Sequence, residues 1–100
     1  MKKLYNCNAT FDEKNFDLVS YSTTVIHIEF DDDAGEWLCA IYRASMTTMQ
    51  HIRKYYEYLY NHNKQEVANL IEVAYRLSIA EKVRKGVLHY SIVTGEVYFE

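Results

Sequence analysis

The apolar residues of this chain change period twice, and each change marks a different kind of element. From Tyr21 to Phe30 the pattern alternates, with Ile26, Ile28 and Phe30 on one face and Val25, His27 and Glu29 on the other. After the turn Asp31-Asp32-Asp33-Ala34-Gly35-Glu36, a second extended run covers Trp37–Arg43. The two runs predict a β-hairpin. The period then lengthens. Met49, Ile52, Tyr56, Leu59 and Tyr60 recur at helical spacing, and Val67, Leu70, Ile71, Ala74, Leu77 and Ser78 form a second stripe.

The predicted boundaries rest on local chemistry. Thr47 with Gln50 reads as a capping box for the first helix, with Ser45 as the competing cap. Asn63 with Glu66 opens the second in the same way. Ile79 and Val83 widen its apolar face. Lys82, Arg84 and Lys85 fill its last turn, where cations complement the helix dipole, and Gly86 ends it. The short link Asn61-His62-Asn63 predicts an antiparallel helical pair. Val87–Val93 and Glu96–Phe99 return to strand around a Thr94-Gly95 turn. At the N-terminus Leu4–Asn8 reads as a short strand, while residues 9–19 are ambiguous, with Phe11, Phe16 and Leu18 as anchors. The expected fold is α+β: an antiparallel sheet from N-terminal strands and two hairpins, with a two-helix hairpin packed on one face. Strand order is not legible. One domain spanning residues 1–100 is expected.

Composition adds limits. Half the residues are apolar (49%), which supports a packed core without metals or disulfides. Lys2 and Lys3 are not followed by the apolar stretch of a signal peptide, and no run approaches a membrane span, so a cytoplasmic protein with no membrane contact is expected. Cys7 and Cys39 then read as free thiols. Net charge is −3, but residues 1–44 hold eight acids against four bases, and residues 45–86 hold four acids against seven bases. That balance argues against a nucleic-acid partner, although bases such as Arg53, Lys54 and Arg76 interleave with aromatics.

No catalytic or cofactor motif is present. GxSxG, Walker A and GxGxxG patterns are absent, and three scattered glycines cannot build a phosphate cradle. His51 and His62 lie about 16 Å apart along a continuous helix, too far for one metal ion. His27 and His89 could meet only if their strands pair. The Asp31-Asp32-Asp33 run misses the EF-hand template, because its glycine is fifth instead of sixth. Cys39 alternates with Trp37 and Ile41 and reads as a packed strand residue. The expectation is therefore a non-enzymatic protein with no cofactor and no metal.

Two features stand out as candidate partner-binding elements. One is the acidic turn, with Asp31, Asp32, Asp33 and Glu36. The other is a tyrosine cluster: Tyr55, Tyr56, Tyr58 and Tyr60 fall within six residues. Tyr56 and Tyr60 belong to the core stripe, whereas His51, Tyr55, Tyr58 and His62 line up on a neighbouring face. That second face is either packed or offered to a partner, since tyrosine supplies large contact area with few rotatable bonds. Tyr75, near Arg76 on the second helix, is read as joining the same surface.

Short length, no export signal, a single domain, many Asn and Tyr residues and an acidic hairpin tip are traits of a type. In these the chain resembles small phage-encoded proteins that inhibit bacterial defence systems, including anti-CRISPR proteins. The likeness covers the chain as a type and transfers no residue roles. It implies a protein partner and inhibition by blocking a nucleic-acid groove or a nuclease surface, with the acidic tip around Asp31–Glu36 facing a basic groove and the Tyr55/Tyr58 face supplying hydrophobic anchors. A homodimeric module, or a small-ligand or nucleotide-binding domain with a pocket between helices and sheet, is the alternative.

Overall fold

The computed structural model describes Met1–Glu100. Seven strands and two helices follow in the order β1 (Lys2–Lys3), β2 (Ala9–Phe11), β3 (Leu18–Ser20), β4 (Thr23–Asp31), β5 (Glu36–Tyr42), α1 (Met46–Asn61), α2 (Gln65–Ala80), β6 (Lys85–Ser91) and β7 (Val97–Phe99). All seven strands form one antiparallel sheet in sequence order. The helical hairpin is inserted between β5 and β6 yet leaves these two strands paired. It covers one face: α1 lies over β3 and β4, and α2 over β5, β6 and β7. The α+β fold with a helical hairpin on one face is as the sequence predicts.

The N-terminal third differs from expectation. Leu4–Asn8 is not a strand. Leu4 is fully buried, but its N–H donates to the Ala9 carbonyl and the chain reverses between them. The ambiguous residues 9–19 resolve into β2 and β3. The side chain of Asp12 closes their turn by accepting from the N–H groups of Lys14 and Asn15 at 2.7 and 3.0 Å. Three strands this short carry too little alternation to be read from a sequence.

β4 holds a local irregularity with a clear consequence. Leu18 pairs with Ile26 and Val19 with Thr24, which leaves Val25 as an extra residue. A bulge of this kind breaks strict alternation. Val25 and Ile26 are accordingly both buried, whereas the sequence pattern put them on opposite faces.

The helix boundaries also shift. Ser45, not Thr47, caps α1: its backbone is extended and its Oγ accepts from the Thr48 N–H at 3.1 Å. Asn63 does not open α2. It takes a left-handed conformation (φ 60°) that ends α1, and the following Lys64 N–H donates to the Leu59 carbonyl. Asparagine is the usual substitute for glycine at this position. α2 stops at Ala80, well before Gly86. Lys82 takes φ 58°, and the N–H groups of Lys82 and Val83 donate to Ile79 and Ser78, a Schellman arrangement built on lysine. Lys82, Arg84 and Lys85 therefore lie beyond the helix, and Ile79 and Val83 are exposed. Gly86 sits in β6 for another reason. A Cβ there would collide with the Phe99 ring.

One core of 19 buried hydrophobic residues fills the space between helices and sheet. On the covered face, cross-strand rows run Ile26–Ile41–Gly86, then Ile28–Cys39–Leu88–Phe99, then Phe30–Trp37–Tyr90–Val97. No helix is long and apolar enough to cross a membrane.

Candidate functional site: an aromatic row beside an acidic tip

The third of those rows sets the site. In the first two, Ile26, Ile41, Ile28, Cys39 and Leu88 are buried beneath the helices. In the third, Phe30 and Val97 are exposed, and Trp37 and Tyr90 are half-buried. The sheet extends one row past its helical cover. Phe30 and Trp37 meet edge to face, with ring centroids 4.9 Å apart. Trp37 and Tyr90 form the floor of a groove of about 350 Å³, whose walls include Val67 and Leu70 of α2, with Ile92 and Glu66 at the margin. The first turns of α2 are thus the limit of cover.

Two hairpin tips rise beside this groove. The Ile92 N–H donates to the Gly35 carbonyl at 3.0 Å, and Val93 would contact a Cβ on Gly35, so the β4–β5 and β6–β7 turns pack together. Ile92 is 55% exposed and Val93 79%. Residues 31–36 and 91–96 hold five acids (Asp31, Asp32, Asp33, Glu36, Glu96) and no lysine or arginine. Exposed apolar side chains clustered in this way mark interaction surfaces in soluble proteins.

The four acids predicted as a site divide into two pairs. Asp31 is structural: its Oδ1 accepts from the Asp33 and Ala34 N–H groups at 3.0 and 3.2 Å, and Gly35 closes the loop at φ 65°. Glu36 turns to the helix-free face and bonds His89 at 3.0 Å. Asp32 and Asp33 remain exposed and unpaired.

The predicted Tyr–His stripe is not a free surface. His51 and Tyr55 are buried, at 4% and 0% exposure, which removes them from any partner-binding role. The buried arc of α1 is Thr48, His51, Ile52, Tyr55, Tyr56 and Leu59, one face at spacings of three and four. It is centred between the two stripes drawn from the sequence. The Tyr55 hydroxyl donates to the Phe16 carbonyl at 2.8 Å, and its ring packs on Phe11. His51 shares a 2.7 Å hydrogen bond with Ser20. Burial holds the His51 pKa below its ordinary value, and Lys54 adds to the effect. A serine beside a neutral imidazole has the look of a nucleophile and base, but Ser20 and His51 are both enclosed, so substrate has no access to them. Only the flank of the stripe reaches solvent: Tyr58 is half-buried and stacks on exposed His62, with Tyr5 at its edge. Tyr75 is buried and receives a hydrogen bond from Arg53.

The helix-free face carries chemistry that the sequence did not reveal. His27 sits between Asp17 and Glu29 at 2.9 and 2.7 Å, and His89 between Glu36 and Glu100 at 3.0 and 2.8 Å, stacked on Tyr98. Strand β5 separates the two histidines, because β4 and β6 do not pair. The hydrogen bond that His27 donates to Glu29, with the one to Asp17 behind it, raises the His27 pKa. No group of three or more His, Cys, Asp or Glu side chains could hold a metal ion. Cys39 is fully buried, and burial pushes its thiol up to about 12, too high for a nucleophile at neutral pH. The only signal for the His27 pair was the i, i+2 spacing of His27 and Glu29 on one strand face.

Comparison with known protein families, with curated proteins and with solved structures finds no match.

Proposed function

We propose that this chain is a non-catalytic cytoplasmic binding protein that occupies a basic surface of another protein through its acidic, aromatic end. The observation that carries this reading is the coincidence at one end of the sheet of two unpaired carboxylates, Asp32 and Asp33, with an uncovered row of aromatic side chains. Aromatic residues supply the desolvated centre of an interface, and rim charges steer the encounter and select the partner. A basic groove that handles nucleic acid fits the charge, and the reading of the chain as a phage-type inhibitor of a host defence complex, CRISPR-type nucleases included, belongs to this proposal.

The test is affinity capture from the native host, compared between the wild type and Asp32→Asn with Asp33→Asn. The reading expects a protein held by the wild type at low salt, lost from the variant, and released by about 1 M salt, where the Debye length is about 3 Å. A partner held equally by both forms would count against it.

A second reading has one observation behind it. The groove over Trp37 and Tyr90, at about 350 Å³, falls at the small end of the range for ligand sites. A thermal-shift screen with nucleotides and small aromatic compounds decides it.

A further inference from the structure

The end of the sheet opposite the acidic tips is its chemical complement. β5 begins at Glu36 beside the tips and finishes at Tyr42, where it pairs with Lys85. Beyond that point the chain passes through Arg43 into the start of α1, and α2 ends alongside. Between them lies a hollow of about 360 Å³ lined by Arg43, Ser45, Met46, Met49, Ile79, Lys82 and Arg84. No acid is among these residues.

The cations differ in their freedom. Arg43 is consumed internally: its Nε and Nη atoms donate to the Ser78 hydroxyl, to the Ser78 and Val83 carbonyls and to the Met49 sulfur. Arg84 donates once, to the Ala44 carbonyl. Neither Arg84 nor Lys82 has a carboxylate partner, because every ion pair in the chain involves His27, Arg76 or His89. Around these two cations Met46 and Ile79 are exposed, at 69% and 42%.

The two ends thus match in kind. One projects unpaired carboxylates next to exposed Ile92 and Val93. The other is a hollow with unpaired cations next to exposed Met46 and Ile79. We infer that a second copy of this chain is an occupant of the acidic end: the Asp32–Asp33 and Ile92–Val93 tips of one molecule dock into the Lys82–Arg84 hollow of the next. A two-fold arrangement through either end would set like charges against each other, so the contact is head-to-tail. Because the two surfaces lie at opposite ends of the sheet, one contact leaves a free surface at each end, and association continues into a chain or a ring. The inference rests on the same acidic end as the proposed function but adds the basic hollow, which that function does not require.

Sedimentation velocity over a concentration series tests it. At low salt the average mass of the wild type rises with concentration past that of a dimer, and about 1 M salt returns it to monomer. Asp32→Lys with Asp33→Lys, and separately Lys82→Glu with Arg84→Glu, each raise the concentration for association by at least about tenfold. In an equimolar mixture of these two variants every tip again faces a hollow of opposite charge, one contact native and the other reversed, so the mixture regains association that neither variant shows alone. Unfolding curves matched to the wild type confirm that each variant is folded. A wild type that stays monomeric at low salt, a series that stops at dimer, or variants that associate as the wild type does would overturn the inference. The Lys82→Glu and Arg84→Glu form also separates the two proposals. It loses self-association but keeps any captured partner, whereas loss of that partner with the acidic tips intact places the partner contact elsewhere.

Discussion

Tyr55 decides how the tyrosine cluster is divided. Its side chain is fully buried, its ring packs on Phe11, and its hydroxyl ties α1 to the β2–β3 turn through the Phe16 carbonyl. Tyr55→Phe keeps the ring and deletes the hydrogen bond, stranding that carbonyl, at a cost of about 1–2 kcal/mol. Tyr55→Ala removes the whole ring and leaves a cavity, which costs about 4 kcal/mol by analogy with buried aromatic truncations. A domain of this size has only about 5–15 kcal/mol of stability, so the alanine form loses a large share of it. The control is Tyr58→Phe, whose half-buried ring has no hydroxyl partner and whose change stays within about 0.5 kcal/mol. Urea unfolding followed by circular dichroism reads all three. With a slope of about 1 kcal/mol per molar, Tyr55→Phe lowers the midpoint by about 1 M or more, and Tyr58→Phe leaves it in place. A Tyr55→Ala protein as stable as the wild type would return Tyr55 to the surface.

Other expectations follow from single contacts. Gly86→Ala forces a Cβ against the Phe99 ring at the edge of the sheet and should destabilise by about 1–3 kcal/mol in the same urea assay. The two histidines act in opposite directions with pH. The His27 pKa is raised above its ordinary 6.5, so its contribution is fully present below that value and is lost as pH rises through the folded pKa. His27→Gln should flatten the decline of stability on the alkaline side of 6.5, by a small amount because the ring is largely exposed. The His51 pKa is lowered from 6.5 by burial, so the unfolded chain binds the extra proton and stability falls as pH drops below 6.5 toward the folded pKa. His51→Gln should weaken that acid-side dependence, and an unchanged pH profile would contradict the buried placement of the ring.

The long elements were legible because their periods are long enough to count. β4, β5 and α2 repeat their patterns over seven or more residues, and the β4–β5 turn announces itself with acids and a glycine. The N-terminal strands are two and three residues long and show no period. Val25 was misplaced because a bulge breaks alternation without a sequence mark of its own. On α1 the pattern was present but divided wrongly. Thr48, His51 and two tyrosines look polar, which hid a single buried arc at positions 48, 51, 52, 55, 56 and 59. Asn63 and Lys82 end helices in the left-handed region, where the sequence reading looked for a cap and a glycine. Of the candidate site, the acidic tip was visible. The aromatic row was not, because Phe30, Trp37 and Tyr90 belong to three strands and become one surface only when β6 pairs beside β5. Their exposure depends further on where α2 begins.

Trp37 gives direct access to that surface. It is the only tryptophan in the chain and it lines the groove beside the tips. Titrating a captured partner against the protein while following Trp37 emission shows whether the partner binds at this end. Binding through this end gives a blue-shifted emission and reduced acrylamide quenching, both lost in the Asp32→Asn and Asp33→Asn form at the same concentrations. A partner that binds with Trp37 emission and quenching unchanged would contradict it, and would place the functional surface away from the acidic, aromatic end.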